Sequence, residues 1–180
     1  LESSDGGLAS TGTLWDYGSV GNGPARGASG VRAWCTNCTG NYFDGADEYL
    51  YLPPVQVPSA VRSTLALHLW NNVYAPGDGV SLEIWDAALG WQSLAPDAVR
   101  PYNTTDAVGK PAWGVFTGTK YSLVAAPLQA WSGQKILLRF AFRSNGGAVS
   151  AGSYLDDFAL ADEATSDPDG DGLLGLLSEY

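Results

Sequence analysis

The run Tyr154-Leu155-Asp156-Asp157-Phe158-Ala159-Leu160 alternates as a strand does, yet it sets two adjacent carboxylates in an apolar stretch. With a period of two, Tyr154, Asp156, Phe158 and Leu160 share one face, and Leu155, Asp157 and Ala159 share the other. If the first face is the core face, Asp156 points inward. A buried ionised carboxylate is costly unless a cation or several donors meet it. The strand therefore predicts a partner: a structural calcium ion or, as the alternative, an arginine such as Arg139.

The same alternation recurs upstream. In Ser63 to Tyr74, Leu65, Leu67 and Leu69 fall on one side and Ala66, His68 and Trp70 on the other. Val80, Leu82 and Ile84 alternate with Ser81, Glu83 and Trp85, one dry face and one wet, and Leu89-Gly90-Trp91 reads as the hairpin turn that follows. Lys135 to Arg143 puts Ile136, Leu138, Phe140 and Phe142 inward and Lys135, Arg139 and Arg143 outward. Shorter strands are predicted at Leu1 to Asp5, Val31 to Trp34, Asp47 to Leu52 (stopped by Pro53-Pro54), Trp113 to Phe116 and Tyr121 to Val124. No helical period competes with these. The pattern predicts an all-β fold, an antiparallel two-sheet sandwich of jelly-roll type over residues 1–161, with 162–180 as an acidic linker and tail.

Bulk properties agree. The 180 residues suit one domain plus a tail, and 45% hydrophobic content is ample for a core. A net charge of −10 argues against a nucleic-acid partner, which would want a basic patch. No apolar run approaches the roughly 20 residues of a membrane helix, so no membrane insertion is expected. With no Met and no signal peptide, the chain reads as a mature or excised piece of a longer polypeptide with other domains.

Along this frame the chain resembles the MAM-like jelly-roll domain of secreted bacterial proteins, including the C-terminal regions of immune-inhibitor-A-type metallopeptidases. The resemblance rests on ordered pieces spread over most of the chain. They are Leu1-Glu2 with Asp5-Gly6-Gly7, Trp15-Asp16-Tyr17-Gly18, Gly23-Pro24, Ser29-Gly30, Trp34 with Thr36-Asn37, and Gly40-Asn41-Tyr42. Further on come Glu48-Tyr49-Leu50 with Pro53-Pro54, His68-Leu69-Trp70, Gly79 to Trp85, Gly90-Trp91, Gly133-Gln134, Leu138-Arg139-Phe140 and Asp156-Asp157. Cys35 and Cys38 depart from the pattern, as does Gly152-Ser153-Tyr154 where Gly-Trp-Tyr is common. The resemblance implies a calcium ion shared by an acid near the start and one on the last strand, here Glu2 and Asp156. Asp157, Asp47 and Glu48 are further candidates, and backbone carbonyls would complete a shell of about six to eight oxygens.

A second calcium motif lies in the tail. Asp167, Asp169 and Asp171, followed by Gly172, have the spacing that opens an EF-hand loop, with the Leu173 carbonyl next in the ligand order. The closing acid belongs at Ser178, but Glu179 stands one place later. The stretch also resembles thrombospondin-type-3 calcium repeats.

The remaining chemistry is sparse. Cys35 and Cys38 are read as a small structural disulfide of an exported, secreted or cell-surface protein, because neither a following helix nor enough zinc ligands accompany them. With His68 the only histidine and no Gly-x-Ser-x-Gly elbow, a nucleophilic triad is not expected. Trp91, Trp113 and Trp131 stand beside Gly-rich or polar turns and are the candidate sugar-stacking residues, against the reading that they simply fill the core. The functional expectation is a non-catalytic, calcium-stabilised accessory or adhesion module that binds a glycan or a cell-surface protein. The alternatives are the C-terminal portion of a secreted metallopeptidase or glycan hydrolase, and a structural spacer leading into calcium repeats.

Overall fold

The computed structural model describes residues 1–59, 61–115 and 120–164, without the side chains of residues 61 and 162–164. In chain order the strands are β1 (Ala9–Ser10), β2 (Trp15–Ser19), β3 (Arg32–Thr36), β4 (Asp47–Tyr51), β5 (Val55–Gln56), β6 (Val61–Asn72) and β7 (Gly79–Asp86). They continue with β8 (Gly90–Ser93), β9 (Thr104–Thr105), β10 (Pro111–Ala112), β11 (Ser122–Pro127), β12 (Lys135–Ile136), β13 (Leu138–Arg143) and β14 (Gly152–Ala164). A 3-10 turn, Gln129–Trp131, precedes β12. Leu1 to Asp5, expected as a strand, is not one; the first pairing begins at Ala9.

Two five-stranded antiparallel sheets face each other, ordered β1-β4-β13-β7-β8 and β11-β6-β14-β3-β2. They are called the first and second sheet below. The chain changes sheet between β1 and β2, β3 and β4, β4 and β6, β6 and β7, β8 and β11, β11 and β13, and β13 and β14, the crossed connectivity of a jelly roll. The expected β-sandwich is therefore the observed fold. β13, buried along its whole length, lies between β4 and β7, and β14 lies between β6 and β3.

The core forms where the alternating apolar sides meet. Leu50, Val80, Leu82, Ile84, Leu138, Phe140 and Phe142 from the first sheet pack on Trp34, Leu65, Leu67, Leu69, Val124 and Leu155 from the second. Each large aliphatic or aromatic side chain so buried contributes about 1.5–3 kcal/mol. A smaller apolar cluster lies on the outer side of the second sheet: Ala33, Cys35, Cys38, Trp70, Ala151 and Tyr154, with Val20 and Tyr121 against it. The glycine-rich segment after β2 covers it, with Gly23 seated on Trp70 and Tyr154.

The opening strand departs from simple alternation at one point. Asp156 pairs with His68 and Ala159 with Ala66, so three steps on β14 match two on β6. The extra residue is a β-bulge. Asp157 adopts φ 50° there, a left-handed conformation that costs about 1–3 kcal/mol in a non-glycine residue. The bulge resets the phase. Leu155 and Phe158 turn to the core, where Phe158 meets Phe140 at 5.8 Å between ring centroids. Tyr154 and Asp156 turn to the outer layer, and Leu160 is exposed. The shared face predicted for Tyr154, Asp156, Phe158 and Leu160 is thus corrected: period two cannot anticipate an inserted residue. The strand also continues to Ala164.

Candidate functional site

Asp156 is fully buried, but in the layer beneath the loop before β3 rather than in the sandwich core. Its Oδ2 accepts hydrogen bonds from the Ala28 and Ser29 amides at 2.9 and 3.3 Å, and its Oδ1 accepts one from Asp157 N at 2.8 Å. The Leu1 ammonium stands 4.0 Å from Oδ1. Burial pushes the Asp156 carboxyl above its ordinary value, with the Asp157 charge adding to the rise, while the backbone amides and the terminal ammonium oppose it. The arginine alternative does not occur: Arg139 is bound to Glu83 on the first sheet. Asp157 accepts a hydrogen bond from Ser29 Oγ and lies 3.2 Å from His68 Nδ1.

Glu2 grips the same loop further along. Its Oε1 accepts hydrogen bonds from the Val31 and Arg32 amides, both at 2.9 Å. A Cβ on Gly30, whose φ is +66°, would come within 2.2 Å of that carboxylate, so only glycine admits it. Glu2 and Asp156 thus clasp one loop from both ends of the chain, each through backbone amides. Gly27 packs tightly against the Asp156 end of this loop. A Cβ built on Gly27 would stand 2.6 Å from Arg32 O and 2.9 Å from both Ser29 O and Asp156 Oδ2. Asp47 and Glu48, by contrast, belong to the first sheet. Asp47 pairs with Arg143 at 3.0 Å and accepts the Tyr49 hydroxyl. Glu48 accepts the Thr13 and Leu14 amides. Among the described residues, no three His, Cys, Asp or Glu side chains converge as a metal site. Asp167, Asp169, Asp171, Leu173 and Glu179 lie outside the described residues.

The sugar-stacking candidates separate. Trp113 is buried, 1% exposed, with its indole N–H donated to Arg100 O and its ring 4.7 Å from Tyr102. It is a core residue, and the expectation of a surface platform there is corrected. The loop carrying it folds inward because Val80 and Trp113 exchange backbone hydrogen bonds. Trp131 is half-buried against the main core. Trp91 does stand on a surface, in company that sequence reasoning did not assemble.

That surface is the outer side of the first sheet. Register places Tyr51 beside Arg139, Arg139 beside Glu83, and Trp85 beside Trp91. The rings form a chain across the strands: Tyr49 to Tyr51 at 6.3 Å, Tyr51 to Trp91 at 5.7 Å, and Trp91 to Trp85 at 5.4 Å. Trp85 is 45% exposed. Arg139 lies under this roof, its guanidinium 3.7 Å from the Tyr49 ring centre and 4.2 Å from that of Trp91. Cation–π contacts so desolvated contribute about 2 kcal/mol or more. Below them Glu83, fully buried, receives Arg139 at 2.6 Å, Lys110 at 2.8 Å and Arg143 at 3.0 Å. Arg143 also binds Asp106 at 2.9 Å. The face expected to be wet is therefore a closed charge network roofed by aromatics. The available signal was the pairing of acids, bases and aromatic rings at its alternate positions, where an ordinary wet face carries small polar residues.

Cys35 and Cys38 form the expected disulfide. Both half-cystines are buried in the outer cluster, so the bond packs that layer as well as closing its turn.

The class this arrangement defines is a two-sheet β-sandwich module. No known family profile matches the chain. It is 27% identical over 168 residues, 91% of its length, to Bacillopeptidase F of Bacillus subtilis (strain 168), and it spans only 10% of that protein. Among solved structures, the K2 cleaved adhesin domain of Lys-gingipain is similar with a TM-score of 0.52 and 15% identity, over 89% of this chain and 94% of that one. A structure of carbohydrate-binding modules of the β-sandwich superfamily gives a TM-score of 0.50 and 13% identity, over 89% and 59%. At these identities the solved structures establish a shared fold. Among the described residues no helix is long and apolar enough to cross a membrane.

Proposed function

We propose that the chain is a non-catalytic binding module of an exported, multidomain polypeptide, and that the outer side of its first sheet binds glycans. The observation that carries this is the Tyr49–Tyr51–Trp91–Trp85 array held in place by Arg139. Sugar rings stack on such faces, and a roof pinned by a buried ion network loses little entropy on binding. The carbohydrate-binding neighbour supports the reading by fold analogy alone. A glycan array run with the domain and with a Trp85→Ala/Trp91→Ala variant tests it. Truncating two anchors should weaken binding by about 2 kcal/mol or more, roughly thirtyfold. Equal binding by both proteins would remove the face from consideration, and an array blank for the unaltered domain would remove the glycan.

The similarity to Bacillopeptidase F supports a second reading: the module belongs to a longer secreted hydrolase, as in the MAM-like domains that the sequence resembles. A His-Glu-x-x-His helix encoded upstream of Leu1 would specify a metallopeptidase of the immune-inhibitor type.

Calcium enters this proposal as a structural ion. Asp156 Oδ2 and the Ser29 and Arg32 carbonyls suit it, since all three oxygens gather beside Gly27. Glu2 holds the same loop through Oε1, which takes the Val31 and Arg32 amides, and its second oxygen serves as a further ligand. After thorough chelation, adding calcium to a hundred times Kd should stabilise the domain by about 2.7 kcal/mol, seen as a raised Tm. Asp156→Asn should abolish that gain. An unchanged Tm in the unaltered domain would dismiss this site.

A further inference from the structure

Apart from the first-sheet face, a cleft of about 350 Å³ opens on the outer side of the second sheet, lined by Pro24, Arg26, Gly27, His68, Lys120 and Tyr121 among others. Its volume lies at the small end of the range for ligand sites, about 300–1,000 Å³. Two features mark it. Arg26 and Lys120 are exposed at the cleft and take part in no ion pair among the described residues, in a chain whose net charge is −10. The nearby acids form their contacts elsewhere, Asp156 with the Ala28 and Ser29 amides and Asp157 with Ser29 Oγ and His68. The second feature is a group of unsatisfied donors. The Tyr121 hydroxyl is buried without a hydrogen-bond partner, and so are Trp70 Nε1 and the Tyr154 hydroxyl in the adjoining cluster, whereas His68 Nδ1 faces Asp157 Oδ2 at 3.2 Å. Buried polar atoms left unpaired cost about 1–3 kcal/mol each, so such a group points to a polar occupant.

We propose that this cleft binds a carboxylated monosaccharide unit, a hexuronate or a sialate. Arg26 and Lys120 take the carboxylate through charge-assisted hydrogen bonds. The Tyr121 hydroxyl takes a ring hydroxyl, and Pro24 with the Tyr121 ring supplies an apolar wall. A simple anion would engage the cations and leave the Tyr121 hydroxyl unpaired. A neutral sugar would leave the cations unused.

Titrating the whole chain with sodium glucuronate and, separately, N-acetylneuraminate, followed by amide-shift NMR, tests this. Either acid should shift the amides of residues 25–28, 68 and 121 and leave those of Trp85 and Trp91 unmoved. Arg26→Ala/Lys120→Ala, two exposed changes, should weaken the binding tenfold or more, and Tyr121→Phe should weaken it several-fold with the fold unchanged. Glucose should not compete. Sulfate competing as well as glucuronate would reduce the site to a charge-only anion trap and overturn the sugar assignment. Unperturbed amides with both acids, or full binding by the double variant, would overturn the proposal. Glycan binding lost only in the Trp85/Trp91 variant would keep the first-sheet reading separate from this one.

Discussion

Glu83→Ala should destabilise the domain by about 3–5 kcal/mol, the cost of breaking a buried ion cluster by removing one partner. Glu83 is fully buried and meets Arg139, Arg143 and Lys110 together. Without it, two nearly buried guanidinium groups keep their charge. Asp106 and Asp47 hold only Arg143, so Arg139 keeps aromatic contacts and no carboxylate. The pH dependence gives an independent check. Burial pushes the Glu83 carboxyl up, but hydrogen bonds from Lys110 and Arg139 and the two arginine charges outweigh it and hold the group below its ordinary value. A carboxyl lowered in the folded state adds stability that is present above its unfolded value, about pH 4.3, and lost as pH falls through the folded one. The variant should therefore show a flatter acid limb in urea midpoint against pH. A loss under 1 kcal/mol with an unchanged acid limb would mean that water screens the network.

Asp156 contributes with the opposite sign. Its carboxyl is raised in the fold, chiefly by burial, so its contribution is present below the unfolded value and diminishes as pH rises through the folded one. Calcium at this carboxylate would remove that penalty by favouring the charged form.

Trp113→Ala should cost about 3–5 kcal/mol, the range for truncating a buried tryptophan or phenylalanine. Its ring is among the largest fully buried side chains and packs on Tyr102, whose hydroxyl caps β7 and β8 at Leu82 and Leu94. The change also removes the hydrogen bond from the indole N–H to Arg100 O. Urea denaturation measures the loss. At a temperature where the variant is still folded, glycan binding on the first-sheet face should persist, which separates this tryptophan from Trp85 and Trp91. Retained stability with lost binding would return Trp113 to the surface.

Much of the fold was legible because alternation is a local property. Ser63 to Tyr74, Val80 to Trp85 and Lys135 to Arg143 each carry their inward face in their own spacing, and β6, β7 and β13 bury those sides. Asp156 was legible as a carboxylate that needs partners. Which partners it has was not, since Ala28 and Ser29 lie 128 and 127 residues away. The pairing of Cys35 with Cys38 was also within reach, because only three positions separate them.

From residue types and their order alone came the two-sheet antiparallel sandwich, the need to satisfy Asp156, the disulfide and the poverty of nucleophilic chemistry. The tertiary structure decided what depends on register between distant strands. It set the bulge that turns Asp156 outward while Phe158 stays inside, and it buried Trp113 beside β7. It also brought Tyr49, Tyr51 and Trp91 from two strands over one arginine, with Trp85 against Trp91. The physical reason is that a side chain's face follows from its neighbours in sequence, whereas its charge partners and stacking partners follow from which strands lie side by side.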